Sequence, residues 1–133
     1  MGSGPIRVLI CDDDERFRDG LRLLFERDQR IEVVADAGSG EEAVKLALLH
    51  RPDVVTMDIE MPVMDGVEAT LQLRDLLPEI KVVLVSSSDY AGRADTAREA
   101  GAAAYVTKPR VFELLADVVV AVVHGENLVD RSD

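Results

Sequence analysis

Polar residues stand at the ends of four short apolar runs in this sequence, and their types suit phosphoryl chemistry. In chain order they are Asp12 and Asp13, then Asp58, Ser86 and Lys108. Carboxylates that come together repel one another, and a hard divalent cation with oxygen ligands, such as Mg²⁺, relieves that repulsion. A lysine and a hydroxyl beside the cation would match the oxygens of a phosphoryl group, and one carboxylate could accept that group as the nucleophile.

Five β-branched runs alternate with amphipathic stretches, and this alternation predicts how the polar residues come together. The strand-like runs are residues 6–11, 31–37, 53–57, 81–86 and 103–107. The stretches between them predict helices, one of which has Ser39 as its N-cap and Glu42 three residues later. Strands and helices that alternate at these lengths predict an α/β fold with a parallel sheet and helices on both faces. Ligands bind outside the carboxyl ends of strands in such sheets, so the polar residues are expected at one edge.

The last segment, residues 111–124, is ambiguous on local propensity. Its valines favour a strand, whereas its length and its position after the fifth strand favour a helix, which we predict. The apolar residues of that helix would sweep an arc of roughly 200°, and a helix packed on one side needs only about 100°. The surplus predicts a homodimer or another partner contact through this helix.

The composition indicates one globular domain. The chain has 133 residues, of which 47% are hydrophobic, and this is enough for one core. We interpret residues 6–124 as the domain, residues 1–5 as an N-terminal tail left over from cloning, and residues 125–133 as a C-terminal tail that frays.

Charge and apolar content also limit the partners. The net charge of −11 disfavours direct binding of nucleic acid. The sequence has neither a secretory signal nor an apolar stretch of bilayer length, and its one cysteine, Cys11, cannot form an internal disulfide. A cytoplasmic protein without a membrane partner is therefore expected.

Four segments resemble, in the family's order, the motifs of the receiver domains of bacterial two-component response regulators. The stretch VLICDDDERFRDGL resembles the first strand with its acidic pair, and VVTMDIEMPVMDG resembles the phosphoacceptor segment. The stretch VVLVSS resembles the strand that ends in a hydroxyl residue, and AYVTKP resembles the closing aromatic and Lys-Pro. The resemblance covers about residues 6–124 and implies a doubly wound, flavodoxin-like sheet of five parallel strands in the order 2-1-3-4-5.

The same resemblance implies an acceptor and a metal site. Asp58 would be the phosphoacceptor, and Mg²⁺, or alternatively Mn²⁺, would bind beside it. Asp13 would be a direct metal ligand, Asp12 would act largely through water, and the backbone carbonyl of Glu60 would complete the site. Gly66 is expected to give backbone freedom to the loop beside the acceptor.

The remaining site residues also take their roles from the resemblance. Ser86, in place of the commoner threonine, and Lys108 would bind the phosphoryl oxygens, and Tyr105 would be the aromatic residue of a switch with Ser86. The Lys108–Pro109 bond is expected to be cis. The donor would be a sensor histidine kinase or a phosphotransfer protein, and the chain would act as a phosphoacceptor signalling domain rather than as an enzyme with a separate substrate.

Three other functions fit the sequence less well. Residues 38–43, GSGEEA, match a dinucleotide fingerprint formally, but Glu41 and Glu42 would face the pyrophosphate. A Mg²⁺-dependent phosphatase of the haloacid-dehalogenase kind would carry its nucleophile on the first strand and would need a cap segment for its substrate. A binding module that is independent of phosphorylation would not require the full set of acids, hydroxyl and lysine.

Overall fold

A parallel sheet of five strands forms the centre of the molecule, which a computed structural model describes for residues 4–87, 93–126 and 128. The strands are β1 (Ile6–Cys11), β2 (Ile31–Ala37), β3 (Val54–Asp58), β4 (Lys81–Ser86) and β5 (Ala104–Thr107). They lie in the order β2-β1-β3-β4-β5, with every neighbouring pair parallel. The predicted fold class and strand order are confirmed.

Helices cover both faces of the sheet. They are α1 (Glu15–Glu26), α2 (Gly40–His50), α3 (Gly66–Leu76), α4 (Arg93–Ala100) and α5 (Val111–Val123), and a 3₁₀ turn (Lys108–Arg110) precedes α5. One apolar layer packs α2, α3 and α4 on the sheet, and the other packs α1 and α5. Alternate residues of β1 supply both layers, because side chains of a strand point to opposite faces: Leu9 lies in the first layer and Ile10 in the second.

Side-chain caps start three helices at the carboxyl edge of the sheet. The Asp14 carboxylate accepts from the backbone N–H of Arg16 and starts α1, and Asp65 starts α3 with a capping box. The Ser39 hydroxyl caps α2 as predicted, and the Glu42 carboxylate accepts the backbone N–H of Gly38 at 2.8 Å. These contacts assign residues 38–43 to a helix cap and disfavour the dinucleotide reading.

The last segment is a helix, as predicted, and part of its apolar surplus is covered within the chain. The buried residues of α5 are Val111, Leu115, Val119 and Val122, and Phe112 is 57% exposed. Leu128 packs against the same layer, and its backbone N–H donates to the carbonyl of Ala103 at 2.9 Å. The C-terminal tail therefore contacts the sheet at Leu128 instead of fraying there, while residues 129–133 lie outside the described part of the chain.

The cis prediction for the Lys108–Pro109 bond is wrong in this structure. The described residues contain no cis peptide bond. Pro109 lies instead at the start of the 3₁₀ turn, where a fixed φ and a missing N–H are tolerated in a helical turn.

The described helices are also too short or too polar for a bilayer. Within residues 4–87, 93–126 and 128, none of them combines the length and apolar character that a membrane span needs.

Candidate functional site

Three carboxylates meet where β1 and β3 end. These strands are neighbours, with Cys11 paired to Met57, so the residues that follow them share one edge of the sheet. Asp12 and Asp58 are buried, at 1% and 2% exposure, whereas Asp13 is exposed. Each of the three offers an oxygen, and these oxygens all lie within 4.8 Å of one another. The cluster predicted from the strand ends is therefore present.

The Lys108 ammonium reaches this cluster from the end of β5. Its Nζ atom lies 3.0 Å from Asp12 Oδ2 and 3.6 Å from Asp58 Oδ2. Burial acts to lower the pKa of Lys108, but the contact with Asp12 and the charge of Asp58 outweigh it, and the pKa is raised. Lys108 is therefore held as a cation between two buried acids that come from different strands.

One lysine does not fully compensate the buried acids. Burial and the charge of Asp12 raise the pKa of Asp58 to about 7, although Lys108 and the backbone N–H of Glu60 oppose the shift. Asp12 Oδ2 has the Lys108 ammonium at 3.0 Å, yet it receives no well-aligned hydrogen bond from the described residues. A buried oxygen without an aligned donor, beside two other carboxylates, is a donor set that fits a hard divalent cation. The three aspartates could therefore hold a metal ion.

Ser86 ends β4, next to the strand of Asp58, and its side chain is fully buried. Its hydroxyl donates to Glu60 Oε2 at 2.6 Å, and the backbone N–H of Ser87 donates to Glu60 Oε1 at 3.1 Å. The backbone N–H of Glu60 in turn donates to Asp58 Oδ1 at 3.1 Å. The resemblance implied the backbone carbonyl of Glu60 as a metal ligand, but nothing in the spacing of residues 60 and 86 indicates that their side chains meet.

Tyr105 lies on β5, two residues before Thr107, which is the sheet partner of Ser86. β5 pairs with β4, with Tyr105 opposite Leu84, and the tyrosine is half-buried against the layer of α2, α3 and α4. The ring of Tyr105 is partly buried in this structure. The switch role itself stays a prediction.

Two residues of α1 belong to the site, and sequence reasoning did not assign them to it. The Lys108 Nζ atom lies 4.5 Å from the centroid of the Phe17 ring, and the Phe112 ring meets Phe17 edge-on at 6.2 Å between centroids. Arg18 donates from Nη1 to the backbone carbonyl of Asp12 at 2.6 Å. Phe17 and Arg18 lie in the first turn of α1, which is the end of the helix nearest the acids. That position in the sequence could have indicated that they belong to the site.

Gly66 serves the site by close approach rather than by backbone freedom. A Cβ atom at this position would lie 2.2 Å from the carbonyl oxygen of Asp58. The absence of a side chain lets the start of α3 pack directly against the end of β3, and Gly66 N–H donates to the Ile59 carbonyl at 3.0 Å. The preceding loop carries Val63, which is fully exposed and has a left-handed φ of 68°.

Comparisons with known proteins identify the family of this chain. Residues 8–120 match the family model of the response regulator receiver domain. The chain is 37% identical over 125 residues to the transcriptional regulatory protein DegU of Brevibacillus brevis. The aligned region covers 94% of this chain and 53% of that protein. It is 42% identical over 106 residues to a protein-glutamate methylesterase/protein-glutamine glutaminase of Halalkalibacterium halodurans, covering 78% of this chain and 30% of that protein.

The fold has close solved counterparts as well. A two-component response regulator of the LuxR family from Aurantimonas sp. superposes with a TM-score of 0.89 at 32% identity, covering 94% of this chain and 89% of that one. The chain spans about half the length of DegU and less than a third of the methylesterase. A matching family model over most of its length, the strand order and the acid cluster at the strand ends together place this chain in the family of response regulator receiver domains.

Proposed function

We propose that this domain is a phosphorylation-dependent signalling switch that accepts a phosphoryl group on Asp58. The observation that carries the proposal is the Lys108 ammonium, which contacts both Asp12 and Asp58 at the buried edge of the sheet. A cation held beside a buried nucleophile is what phosphoryl transfer requires, because the reaction depends mostly on positioning and charge neutralisation.

The chemistry follows from the orientation of the Asp58 carboxylate. Oδ1 accepts the backbone N–H of Glu60, and Oδ2 faces the lysine. A carboxylate oxygen of Asp58 attacks the phosphorus atom, the bond from phosphorus to the donor breaks, and the electron pair leaves with the donor. Lys108 and the Ser86 hydroxyl bind the phosphoryl oxygens. The aspartyl phosphate is a mixed anhydride that water can later hydrolyse.

Asp12, Asp13 and Asp58 would hold Mg²⁺, with Mn²⁺ as an alternative, and the backbone carbonyl of Glu60 would complete the ligand set. The bound cation would neutralise charge on the carboxylates and on the incoming phosphoryl group. The support in this chain is the oxygen cluster within 4.8 Å and the poorly satisfied Asp12 Oδ2.

We propose that the donor is a sensor histidine kinase or a phosphotransfer protein and that the output passes through Ser86 and Tyr105. When the Ser86 side chain turns toward the phosphoryl group, it vacates space beside β4. The half-buried ring of Tyr105 on β5 can then rotate into that space. A ligand shifts such an equilibrium only by its different contacts in the two states. The output would act on a downstream partner or an attached domain in the cytoplasm. The net charge of −11 argues against direct binding of nucleic acid by this domain.

We also propose a homodimer through α5 as one route for the output. Phe112 is exposed on this helix, and Val118, Val120 and Val123 are only partly buried. Sedimentation of the protein with and without beryllofluoride tests this proposal. A monomer at high concentration in both states would remove it.

The function is tested by intact-mass measurement after treatment with acetyl phosphate and Mg²⁺. The wild type should gain one phosphoryl group per chain, and Asp58→Asn should gain none. Equal labelling of both proteins would contradict the assignment of Asp58. Continuous turnover of p-nitrophenyl phosphate, instead of one stoichiometric event, would favour the phosphatase alternative.

A further inference from the structure

The Glu60 carboxylate holds the end of β4 through both of its oxygens. Oε2 accepts the Ser86 hydroxyl at 2.6 Å, and Oε1 accepts the Ser87 backbone N–H at 3.1 Å and lies 3.4 Å from the Ser87 hydroxyl. Hydrogen bonds to an ionised acceptor are the short and strong ones, and the distance from Ser86 is in that range. The side chain of Glu60, two residues after Asp58, therefore accepts hydrogen bonds from the residues at the end of the neighbouring strand β4.

We propose that Glu60 is a positioning residue whose carboxylate competes with the phosphoryl group for the Ser86 hydroxyl. That the group competing with Glu60 is a phosphoryl group rests on the proposed function above. The hydrogen bond between Ser86 and Glu60 does not depend on that proposal. In the unphosphorylated chain the Glu60 carboxylate takes the place at Ser86 that a phosphoryl oxygen takes after transfer. Glu60 thereby opposes phosphorylation and keeps the end of β4 in its resting position.

The competition follows from the donor count of a hydroxyl. Ser86 has one hydroxyl proton, so it can donate to Glu60 or to a phosphoryl oxygen but not fully to both. Its side chain is completely buried, so bulk water is not at hand to replace either acceptor. Binding of a phosphoryl oxygen by Ser86 therefore requires that Oε2 of Glu60 leaves.

The same arrangement links the competition to the state of Asp58. The backbone N–H of Glu60 is bound to Asp58 Oδ1, so the residue is fixed at the nucleophile while its carboxylate reaches β4. A phosphoryl group on Asp58 adds negative charge next to the Glu60 carboxylate, and like charges at short range repel. The group that needs Ser86 thus also helps to displace Glu60 from it.

Two substitutions separate the resting contact from the competition. Glu60→Ala removes both acceptor oxygens. Glu60→Gln keeps one oxygen for the Ser87 N–H and presents an NH₂ group that donates to Ser86 Oγ, so the Ser86 proton is released from residue 60. Glu79→Ala is the control for net charge, because Glu79 is an exposed acid in the turn before β4.

The first measurement is hydrogen exchange of the Ser87 amide in the whole chain, without Mg²⁺ or a phosphoryl mimic. Glu60→Ala should exchange this amide faster by about tenfold or more, because its acceptor is lost. Glu60→Gln and Glu79→Ala should keep wild-type protection. Unchanged exchange in Glu60→Ala would overturn the resting contact.

The second measurement is the affinity for beryllofluoride in the presence of Mg²⁺, followed by amide resonances. Glu60→Ala and Glu60→Gln should both bind the mimic about tenfold more tightly than the wild type, which corresponds to about 1.4 kcal/mol. Wild-type or weaker affinity in Glu60→Gln would overturn the competition. If the wild type bound no mimic while Ser87 exchange behaved as expected, the proposed function would fail and the Glu60 contact would stand.

Discussion

The Lys108 ammonium lies 4.5 Å from the centroid of the Phe17 ring, so that α1 supports the cation of the acid cluster. The lysine side chain is 23% exposed, and the ring of Phe17 is itself contacted by Phe112. A cation over an aromatic face gains about 1 kcal/mol at a partly exposed site. Phe17 is therefore a positioning residue for Lys108.

Replacing Phe17 should slow phosphorylation without removing any group that touches the phosphoryl oxygens. We expect Phe17→Leu to lower the rate of labelling by acetyl phosphate about fivefold, because the variant loses the cation–π interaction of about 1 kcal/mol that positions Lys108. Phe17→Tyr keeps the ring face and should label near the wild-type rate. Equal rates for the leucine and tyrosine variants would contradict the role of the ring.

The stability of the metal-free domain should fall as pH rises from about 4 to about 7. Burial raises the pKa of Asp58 from 3.8 to about 7, so in this window the folded state binds a proton that the unfolded state has lost. More protons on the folded state make the free energy of unfolding decrease with pH. The cost is absent below the unfolded pKa and complete above the folded one, and its full size is on the order of 4 kcal/mol.

Urea titrations in EDTA at several pH values measure this loss. Asp58→Asn removes the titrating group, so its stability should change less across the same window, and the difference between the two proteins isolates Asp58 from the other carboxyls. Saturating Mg²⁺ should flatten the wild-type profile, because it favours the ionised carboxylate. Parallel profiles for wild type and Asp58→Asn in EDTA would count against a raised pKa at this residue.

Gly66→Ala, which adds only a methyl group, should strongly lower the free energy of unfolding. The new Cβ would lie 2.2 Å from the Asp58 carbonyl oxygen, and backbone must move to relieve the overlap. We expect a loss of about 3 kcal/mol in the free energy of unfolding, the upper part of the range for overpacking. Gly4→Ala, where a Cβ meets nothing within 4 Å, is the matched control and should leave stability unchanged. A Gly66→Ala protein as stable as the control would show that α3 can shift freely.

Val63→Asn should stabilise the protein. Val63 is fully exposed in a left-handed conformation with a φ of 68°, which a β-branched side chain adopts at a cost. Asparagine tolerates this region, so we expect a gain of about 1 kcal/mol in thermal or urea unfolding. Val63→Ile keeps the β-branch and should bring no gain. Equal gains from both substitutions would mean that backbone strain is not the cause.

Ser86→Ala should separate phosphoryl acceptance from the remote response. The variant keeps Asp58 and Lys108, so it should still be labelled by acetyl phosphate, but it has no hydroxyl to give to the phosphoryl group. Beryllofluoride with Mg²⁺ should then move amide resonances at the acid cluster and leave most of those in residues 103–112 unmoved. A full response there in Ser86→Ala would require another path from Asp58 to Tyr105.

Local sequence was sufficient for the framework of the site. The period of the apolar residues distinguishes strands from helices, and alternation of the two allows few topologies other than a parallel sheet. In such a sheet the strand ends share an edge, so the sequence alone places Asp12, Asp58, Ser86 and Lys108 at that edge. The strand order 2-1-3-4-5 came from the resemblance to a family, because alternation alone does not order the strands.

Only the tertiary structure decided which side chains touch. Glu60 reaches Ser86, and Phe17 supports Lys108, through rotamers and packing between segments that are far apart in the chain. Gly66 is required by a backbone approach to Asp58 that no local pattern encodes. Hydrophobic periodicity determines where an element runs, whereas contacts at its ends depend on distances between elements, which exist only once the sheet and its two layers have packed.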